Sequence, residues 1–219
     1  GWLLARKGRT LMKRNFTKLA FTPSVRKAQE QYGSRQAYER MERSGDRYQL
    51  TDREADFIRG RDGFFLATVG ENGWPYAQFR GGPKGFLRVL DEQTLAMADF
   101  VGNRQFISVG NINASRKASL FLIDYPSRQR LKIWATAEVI DPADRPDLRD
   151  LVSLGDYKAV VERCLVFSIQ GYDWNCPQHI TPRFTHEEIR EGVEGLDPEL
   201  IRSCCPEQAD PASGEAGGI

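Results

Sequence analysis

An arginine at the end of a predicted strand is the first candidate for chemistry. Gln78, Phe79 and Arg80 complete a β-favouring run, and two glycines follow at once. Because glycine lets a bound group approach the backbone and the guanidinium of Arg80 is positively charged, this break could hold a phosphate. The same pattern also suits a β-bulge or wide turn with a solvated arginine, so the segment alone leaves both interpretations open.

A second arginine lies in the segment GNRQF, residues 102–106, between a predicted strand and a predicted helix. Asn103 can cap that helix, and the backbone N–H groups of a first helical turn favour an anion. Arg104 adds a full positive charge. An ordinary capped helix with a surface arginine is the equally good alternative.

A third segment, DWNCPQHITPR at residues 173–183, is rich in side chains that recognise ligands. Its two prolines fix the backbone, which lowers the ordering cost of presenting them. The alternative is that Trp174 packs on the core. The polar and aromatic candidates are Trp174, Asn175, Gln178, His179 and Arg183.

Cysteine chemistry has a weaker basis. Cys176 could act as a nucleophile with His179 as its base, although Pro177 lies between them and the spacing does not ensure contact. The other cysteines are Cys164, Cys204 and Cys205, and no two cysteines form a C-x-x-C pair. Without such a pair and with only two histidines, the chain is poorly supplied with ligands for zinc, and we expect no metal site. We expect the cysteines to be reduced thiols, as is usual in the cytosol.

Composition excludes several classes of partner. The chain has 219 residues, enough for one well-buried core, with 31 basic and 30 acidic residues and a net charge of +1. We expect no nucleic-acid partner, because nothing makes the surface basic as a whole. The sequence lacks an apolar run of the roughly 20 residues that a membrane helix needs, and residues 1–18 lack a secretory core. We therefore expect a cytoplasmic protein without membrane contact.

The elements that must position these residues are mainly strands. An Asn-Gly step at Asn72 predicts a tight hairpin between the first two strands. Apolar Ile133, Ala135 and Ala137 alternate with polar or aromatic neighbours, which predicts a strand with one core face. The predicted strands are 64–69, 74–80 resuming at 86–90, 94–99, 118–124, 130–140 and 164–169.

Helices are predicted around the strands. Residues 24–42 form a charged, helix-favouring arm interrupted at Gly33. Thr51 and Glu54 make a capping box, as do Thr185 and Glu188. Further helices are predicted at 103–112, 146–152 and 157–163, and the helices with capping boxes end near Gly60 and Gly192.

Residues 64–141 resemble the pyridoxamine 5′-phosphate oxidase-like superfamily of FMN-binding split barrels. The segments FFLATVGENGWPYAQFRGG, LAMADFVGNRQFISVGNINASRKASLFLID and RLKIWATAEVID look like its opening hairpin, phosphate-binding segment and long partner strand. NCPQHITPR looks like a recurring feature of one branch. The resemblance implies a mainly β (α+β) fold, an antiparallel six-stranded split β-barrel with peripheral helices and an N-terminal helical arm.

The domain boundaries follow from this fold. We expect a poorly ordered basic leader at 1–22, the helical arm at 23–60, an FMN-binding split-barrel domain at 61–203 and a flexible tail at 204–219.

The resemblance also implies a cofactor, FMN, and the residues that hold it. Two strands would line the ring and ribityl chain, the segment after residue 102 would bind the phosphate, and Trp174 and Gln178 would approach the ring from a second subunit. The implied set is Gln78, Phe79, Arg80, Gly81, Ala98, Asp99, Asn103, Arg104, Gln105, Lys132, Trp174 and Gln178.

Departures from the family pattern bear on the reaction. Pro83 stands where the true oxidase has a lysine, and Leu131 stands beside Arg130 where a glutamine is expected. The C-terminal arginine and histidine residues with which the true oxidase binds its pyridoxal phosphate substrate have no counterpart in this sequence. The resemblance therefore does not extend to pyridoxamine phosphate oxidation, and the catalytic residues stay unassigned.

The sequence leaves two functions open beside a third, a cysteine-based hydrolase that would use Cys176 as its nucleophile. One is an FMN-dependent oxidoreductase, a homodimer sharing two flavin sites, that acts on a small molecule or takes electrons from a reduced nicotinamide donor. The other is a non-catalytic module that binds or carries a flavin or haem.

Overall fold

A computed structural model of the chain describes residues 16–43, 48–155 and 157–193. Within these ranges the helices are α1 (Phe16–Ala20), α2 (Pro23–Gln31), α3 (Arg35–Arg43), α4 (Asp52–Arg59), α5 (Ile107–Ser115), α6 (Pro146–Val152) and α7 (His186–Val193). The strands are β1 (Gly63–Val69), β2 (Pro75–Gly81), β3 (Arg88–Asp91), β4 (Thr94–Phe100), β5 (Lys117–Asp124), β6 (Gln129–Ile140) and β7 (Val161–Asn175). The chain divides into two compact units, Gly1–Ile180 and Thr181–Ile219.

The strands form one antiparallel sheet in the order β2-β1-β5-β6-β7-β4-β3. The predicted antiparallel α+β class is confirmed, but the described sheet has seven strands rather than six. The difference arises after the glycine-rich break. Phe86 and Leu87 turn into the core, and β3 then pairs with β4 instead of resuming β2.

Alternation along the strands places the core on one face of the sheet. Ile133, Ala135 and Ala137 of β6 are buried and the residues between them are half-buried, as the sequence predicted. Val139, predicted on the same face, is only half-buried, and Leu131 is buried in addition. β6 pairs with β7 over most of its length, and this pairing is the longest in the described sheet. The Asn-Gly turn between β1 and β2 is also confirmed, with Gly73 at a φ of 82°.

A smaller cluster covers the opposite face of β4 and β7. Ala96 and Ala98 of β4 and Cys164 of β7 pack against Leu148 and Val152 of α6. The small side chains on this face let the helix approach the sheet closely. Because both faces are covered here, every residue from Thr94 to Asp99 is buried.

The predicted helix at 157–163 is wrong. β7 begins at Val161, which pairs with Phe100, and it runs through Asn175, far beyond the predicted strand at 164–169. The β-branched pair Val160 and Val161 and the long ladder to β6 favour extended backbone over a helical turn.

The N-terminal arm is helical with a break at Gly33, as predicted, and Gly33 has a φ of 75°. Of the expected leader at 1–22, residues 16–22 are described, and α1 lies among them. That the leader is poorly ordered stays a prediction. Phe16 packs against Trp134 with ring centroids 5.2 Å apart. A Cβ at Gly171 would lie 2.7 Å from the Phe16 backbone, so glycine is needed where α1 meets β7.

Several expectations fall outside the described residues. These are the leader at 1–15, the tail at 204–219 with Cys204 and Cys205, and the chain between Val193 and residue 204. The capping box of Thr185 and Glu188 does lie within them and is confirmed, since the two residues exchange hydrogen bonds of 2.8 and 3.2 Å. In the described part of the chain, no helix is long and apolar enough to cross a membrane.

Candidate functional site

Arg80, Asp99 and Arg163 meet in what we call the arginine bridge. Arg80 Nη1 lies 2.5 Å from Asp99 Oδ1, and Arg163 Nε lies 3.0 Å from Asp99 Oδ2. Asp99 is 3 % exposed, so each of its carboxylate oxygens faces a guanidinium rather than water. Arg163 Nη2 also lies 2.5 Å from Glu162 Oε2.

Sheet topology explains why these residues meet. Asp99 on β4 and Arg163 on β7 are direct partners in the antiparallel ladder. Arg80 lies on β2, at the other end of the strand order, yet its guanidinium reaches Asp99. The sheet therefore curls until its ends approach each other, and the arginine bridge spans the gap that remains.

This gap opens into a cleft, here called the split cleft, with a cavity volume of about 60 Å³. Its walls come from β2, β4, the start of β7 and the segment leading into α5. Gln78 Oε1 accepts a hydrogen bond of 3.1 Å from Ser108 Oγ at this wall. Of the residues implied by the sequence, Gln78, Arg80, Asp99, Asn103, Arg104 and Gln105 line the split cleft.

The segment before α5 differs from the prediction. α5 begins at Ile107, and its N-cap is Phe106 with a left-handed φ of 55°, so Asn103 does not cap the helix. Asn103 Oδ1 instead accepts a hydrogen bond of 3.1 Å from the Gln105 N–H. Arg104 also has a positive φ, 59°, which is uncommon for a residue with a Cβ. Local turns rather than a helix therefore bring Arg104 to the split cleft.

The electrostatics of the split cleft favour an anion. Arg80, Arg104 and Arg163 line it against the two carboxylates of Asp99 and Glu162, which leaves one net positive charge. Burial alone would lower the pKa of Arg163, but hydrogen bonds to Glu162 and Asp99 outweigh it and raise that pKa. Arg80 Nε is buried without a hydrogen-bond partner among the described residues. Such an atom is a donor that a ligand could satisfy.

Three implied residues of β2 and β4 lie outside the walls of the split cleft. Phe79 is 60 % exposed and packs against Phe65 with ring centroids 5.5 Å apart. A Cβ at Gly63 would lie 2.4 Å from the Phe79 ring, so Phe79 covers the outer face of the hairpin. Ala98 is buried beneath α6, and Gly81 pairs with Gly63 in the ladder.

Lys132 also lies away from the split cleft. Its Nζ is 3.7 Å from Asp173 Oδ2, the side chain of its partner in the β6–β7 ladder, and 5.6 Å from the centroid of Phe16. Contact between Lys132 and a flavin stays a prediction.

Trp174 packs on α4 of its own chain. Its Nε1 donates a hydrogen bond of 2.7 Å to Glu54 Oε1, and its ring lies 4.8 Å from that of Phe57 and 4.4 Å from the guanidinium of Arg53. We call this group the tryptophan cluster. Burial would raise the pKa of Glu54, but hydrogen bonds from Thr51 and Trp174 prevail and lower it. The geometry supports the packing alternative for Trp174, and its contact with a partner's flavin stays a prediction.

The loop after β7 offers no nucleophile paired with a base. Cys176 is exposed, and its Sγ accepts a hydrogen bond of 3.4 Å from the Gln178 N–H. No hydrogen bond joins Cys176 to His179 in the described structure, and His179 has a positive φ of 63°. Among the residues of known placement, no group of three or more acidic, histidine or cysteine side chains could hold a metal.

Arg163 is the functional candidate that sequence reasoning missed. It falls in the segment that was predicted as a helix, and its own neighbours form no motif. One signal was available: Arg163 precedes a buried apolar run, and Asp99 ends another. Pairing those two runs in antiparallel register would have placed the two side chains opposite each other.

Solved structures with a similar fold share little sequence with the chain. A candidate pyridoxamine 5′-phosphate oxidase from Lactobacillus delbrueckii shares 22 % identity, with 57 % of this chain and 94 % of that chain covered and a TM-score of 0.46. An FMN-binding protein from Syntrophomonas wolfei shares 14 % identity, with 67 % and 97 % covered and a TM-score of 0.44. The HupZ protein from Group A Streptococcus shares 16 % identity, with 62 % and 99 % covered and a TM-score of 0.44.

No curated protein matches the chain. The family model described as pyridoxamine 5′-phosphate oxidase matches residues 50–159, from two residues before α4 to two residues before β7. The matched part includes Arg80, Asp99 and Arg104 of the split cleft, and it spans half of the sequence. The chain therefore belongs to the pyridoxamine 5′-phosphate oxidase-like family of split barrels.

Proposed function

We propose that the protein binds FMN with its phosphate in the split cleft and serves as an FMN-dependent oxidoreductase. The observation that carries this proposal is Arg80, whose side chain is largely buried at the cleft wall and whose Nε has no partner among the described residues. An anionic phosphate oxygen would satisfy that donor. Charge-assisted hydrogen bonds of this kind are worth about 1.5–3 kcal/mol each.

The polar residues of the split cleft fit the rest of the cofactor. Arg104 lines the split cleft together with Arg80 and would supply a second cation for the phosphate. Gln78 and Ser108 offer an amide and a hydroxyl group that suit a polyhydroxy chain. The chain therefore supplies cations for the phosphate and neutral hydrogen-bonding groups next to them.

One chain does not enclose a whole flavin. The cavity of the split cleft is about 60 Å³, whereas pockets for ligands of this size measure roughly 300–1,000 Å³. A second wall is needed, and a homodimer would provide it. On this proposal two copies share two equivalent flavin sites.

An exposed apolar surface offers a place for the second copy. Phe65, Val69 and Phe79 lie on the outer face of the β1–β2 hairpin and are each at least 41 % exposed. A largely apolar groove of about 540 Å³ continues from Val69 across β5 and β6 to Trp134. Apolar surface of this extent favours association. Phe79, which the resemblance implied as a flavin neighbour, would then lie at the interface.

Bound FMN would supply the transfer of a hydride or of single electrons. The chain's own residues would bind and orient the cofactor and exclude water. Asp99 is not placed as a proton acceptor, because both of its oxygens pair with guanidiniums. The substrate class is a small molecule, and a reduced nicotinamide is the electron donor to test first.

The purified protein tests the proposal directly. It should be yellow or bind added FMN, show flavin absorbance in the visible range and release FMN on denaturation. Colourless protein that does not quench the fluorescence of added FMN would overturn the proposal.

A non-catalytic flavin-binding module is the second candidate. The ion pairs of Asp99 favour this candidate. Because both carboxylate oxygens of Asp99 pair with arginines, this buried acid has no role in proton transfer. Mixing the FMN-loaded protein with a reduced nicotinamide under anaerobic conditions separates the two. Protein-dependent bleaching of the flavin supports the enzyme, and no bleaching with any donor supports the module.

Light scattering after size-exclusion chromatography tests the dimer. We expect a dimer for the wild type and a shift to monomer for Phe79→Asp, because a carboxylate would be buried in an apolar interface. Leu151→Asp is the matched control, since Leu151 is exposed on α6 away from this face. A monomeric wild type would contradict the shared sites.

A further inference from the structure

We infer that Arg163 contacts the ligand's anionic group together with Arg80, and that Glu162 and Asp99 position its guanidinium for this contact. The inference rests on the proposed function and adds a residue that lies outside the part of the chain matched by the family model. Its consequence is that the split cleft distinguishes a phosphorylated flavin from riboflavin through two buried arginines rather than one.

The hydrogen bonds of Arg163 leave part of its guanidinium available. Asp99 accepts from Nε and Glu162 accepts from Nη2, at 3.0 and 2.5 Å. Within the described part of the chain, Nη1 donates no hydrogen bond. A guanidinium donates through five N–H groups in a fixed plane, so two carboxylates on one edge orient the remaining donors.

The face of the same guanidinium is also fixed. Arg163 Cζ lies 4.8 Å from the centroid of the Phe106 ring, and Arg104 Cζ lies 5.9 Å from it. Phe106 reaches this position through the left-handed turn before α5. One aromatic ring therefore holds two arginines from distant parts of the sequence at one wall of the split cleft.

The charges that line the split cleft do not cancel. Asp99 and Glu162 balance Arg80 and Arg163, and Arg104 lines the same cleft as a third arginine. Like charges in a partly desolvated site repel each other, and an added anion relieves that repulsion. The excess of positive charge matches a phosphate.

The test compares FMN with riboflavin, which lacks the phosphate, by quenching of flavin fluorescence. We expect Arg163→Gln to weaken FMN binding by about tenfold to a hundredfold, the value of a lost charge-assisted hydrogen bond. Riboflavin binding should change by less than about threefold, because the neutral flavin makes no such bond. Arg163→Lys keeps the positive charge but lacks the planar guanidinium group. Its affinity for FMN should therefore lie between the affinities of the wild type and of Arg163→Gln.

Arg149→Gln is the matched control, because Arg149 is an exposed arginine on α6 that pairs with its neighbour Asp150. It should leave the preference for FMN over riboflavin unchanged. If Arg163→Gln does not fold, as judged by circular dichroism, Arg163→Lys decides the question by the same ratio of affinities.

The outcomes separate the two proposals. A wild type that binds neither flavin overturns the proposed function and this inference with it. A wild type that binds FMN while the Arg163 variants keep its full preference for FMN over riboflavin overturns this inference alone. Equal losses for both flavins would also overturn it, because they would indicate a structural role.

Discussion

Two buried carboxylates, Glu54 and Asp99, lie in regions of opposite character. Glu54 belongs to the tryptophan cluster and accepts hydrogen bonds from the Thr51 N–H, the Thr51 hydroxyl and Trp174 Nε1. Asp99 belongs to the arginine bridge and pairs with two guanidiniums. The side chains are about equally hidden, at 4 % and 3 % exposure.

The two carboxylates differ in how many hydrogen-bond donors remain free on the residues around them. The donors around Glu54 are an indole N–H, a backbone N–H and a hydroxyl, each of which has one hydrogen to give and gives it to Glu54. The arginines around Asp99 keep further N–H groups, including Arg80 Nε, which has no hydrogen-bond partner in the described part of the chain. A closed network stabilises the fold, whereas an open one retains the capacity to bind. The predictions below test this distinction.

Removing Glu54 should have the largest effect on stability. Glu54→Ala leaves the Trp174 and Thr51 donors without their buried acceptor and should lower the free energy of unfolding by about 2–3 kcal/mol. Urea denaturation measures the change, and Glu71→Ala in the exposed β1–β2 turn is the control. Flavin affinity should be unchanged in folded Glu54→Ala. A loss of binding with unchanged stability would reverse the roles assigned to the two carboxylates.

Removing Arg80 should affect binding more than folding. Arg80→Gln should weaken FMN binding by about 1.5–3 kcal/mol, as measured by flavin fluorescence. Stability should fall by only about 1 kcal/mol, because Arg163 still pairs with Asp99. Arg59→Gln, at an exposed pair on α4, provides the comparison. Full FMN affinity in Arg80→Gln would remove the main support for the split cleft as the phosphate site.

The tryptophan cluster should also make stability depend on pH. The folded-state pKa of Glu54 is lowered, so its ionised form stabilises the fold above the ordinary value of 4.5. This contribution is lost as the pH falls below that value and through the lower folded pKa. The difference in unfolding free energy between wild type and Glu54→Gln should therefore shrink as the pH falls below 4.5. A difference that grows on acidification would contradict the assigned direction of the shift.

The smallest effect is expected at Cys176. Cys176→Ser changes an exposed side chain whose sulfur accepts one long hydrogen bond, so stability should change by less than about 0.5 kcal/mol. Flavin binding and any flavin-dependent turnover should match the wild type. Loss of turnover with the flavin still bound would revive the nucleophile hypothesis.

Local patterns predicted most of the elements. Alternation identified β6, the Asn-Gly step identified the β1–β2 turn, and spacing identified both capping boxes. Errors fall at Asn103, which does not cap α5, and in the segments 86–90 and 157–163. In the two segments the chain turns into the core or pairs with a strand distant in sequence. There the ladder to β4, rather than local propensity, determines the backbone.

The candidate site divides in the same way. Arg80 and Arg104 could be found from the sequence, because each stands at a break after a strand, and both line the split cleft. Arg163 was missed, since its partner Asp99 is 64 residues away and only the pairing of β4 with β7 places them opposite each other. Trp174 was ambiguous for the same reason, as its acceptor Glu54 lies 120 residues away.

The sequence by itself determined most of the strands, the two capping boxes and two of the arginines, because these depend on interactions among near neighbours. Only the tertiary structure decided that the ends of the sheet meet, that Asp99 lies between Arg80 and Arg163, and that Trp174 faces α4. Those outcomes depend on the curl of the sheet and on the desolvation of charges within it. Both are properties of contacts between residues far apart in the chain.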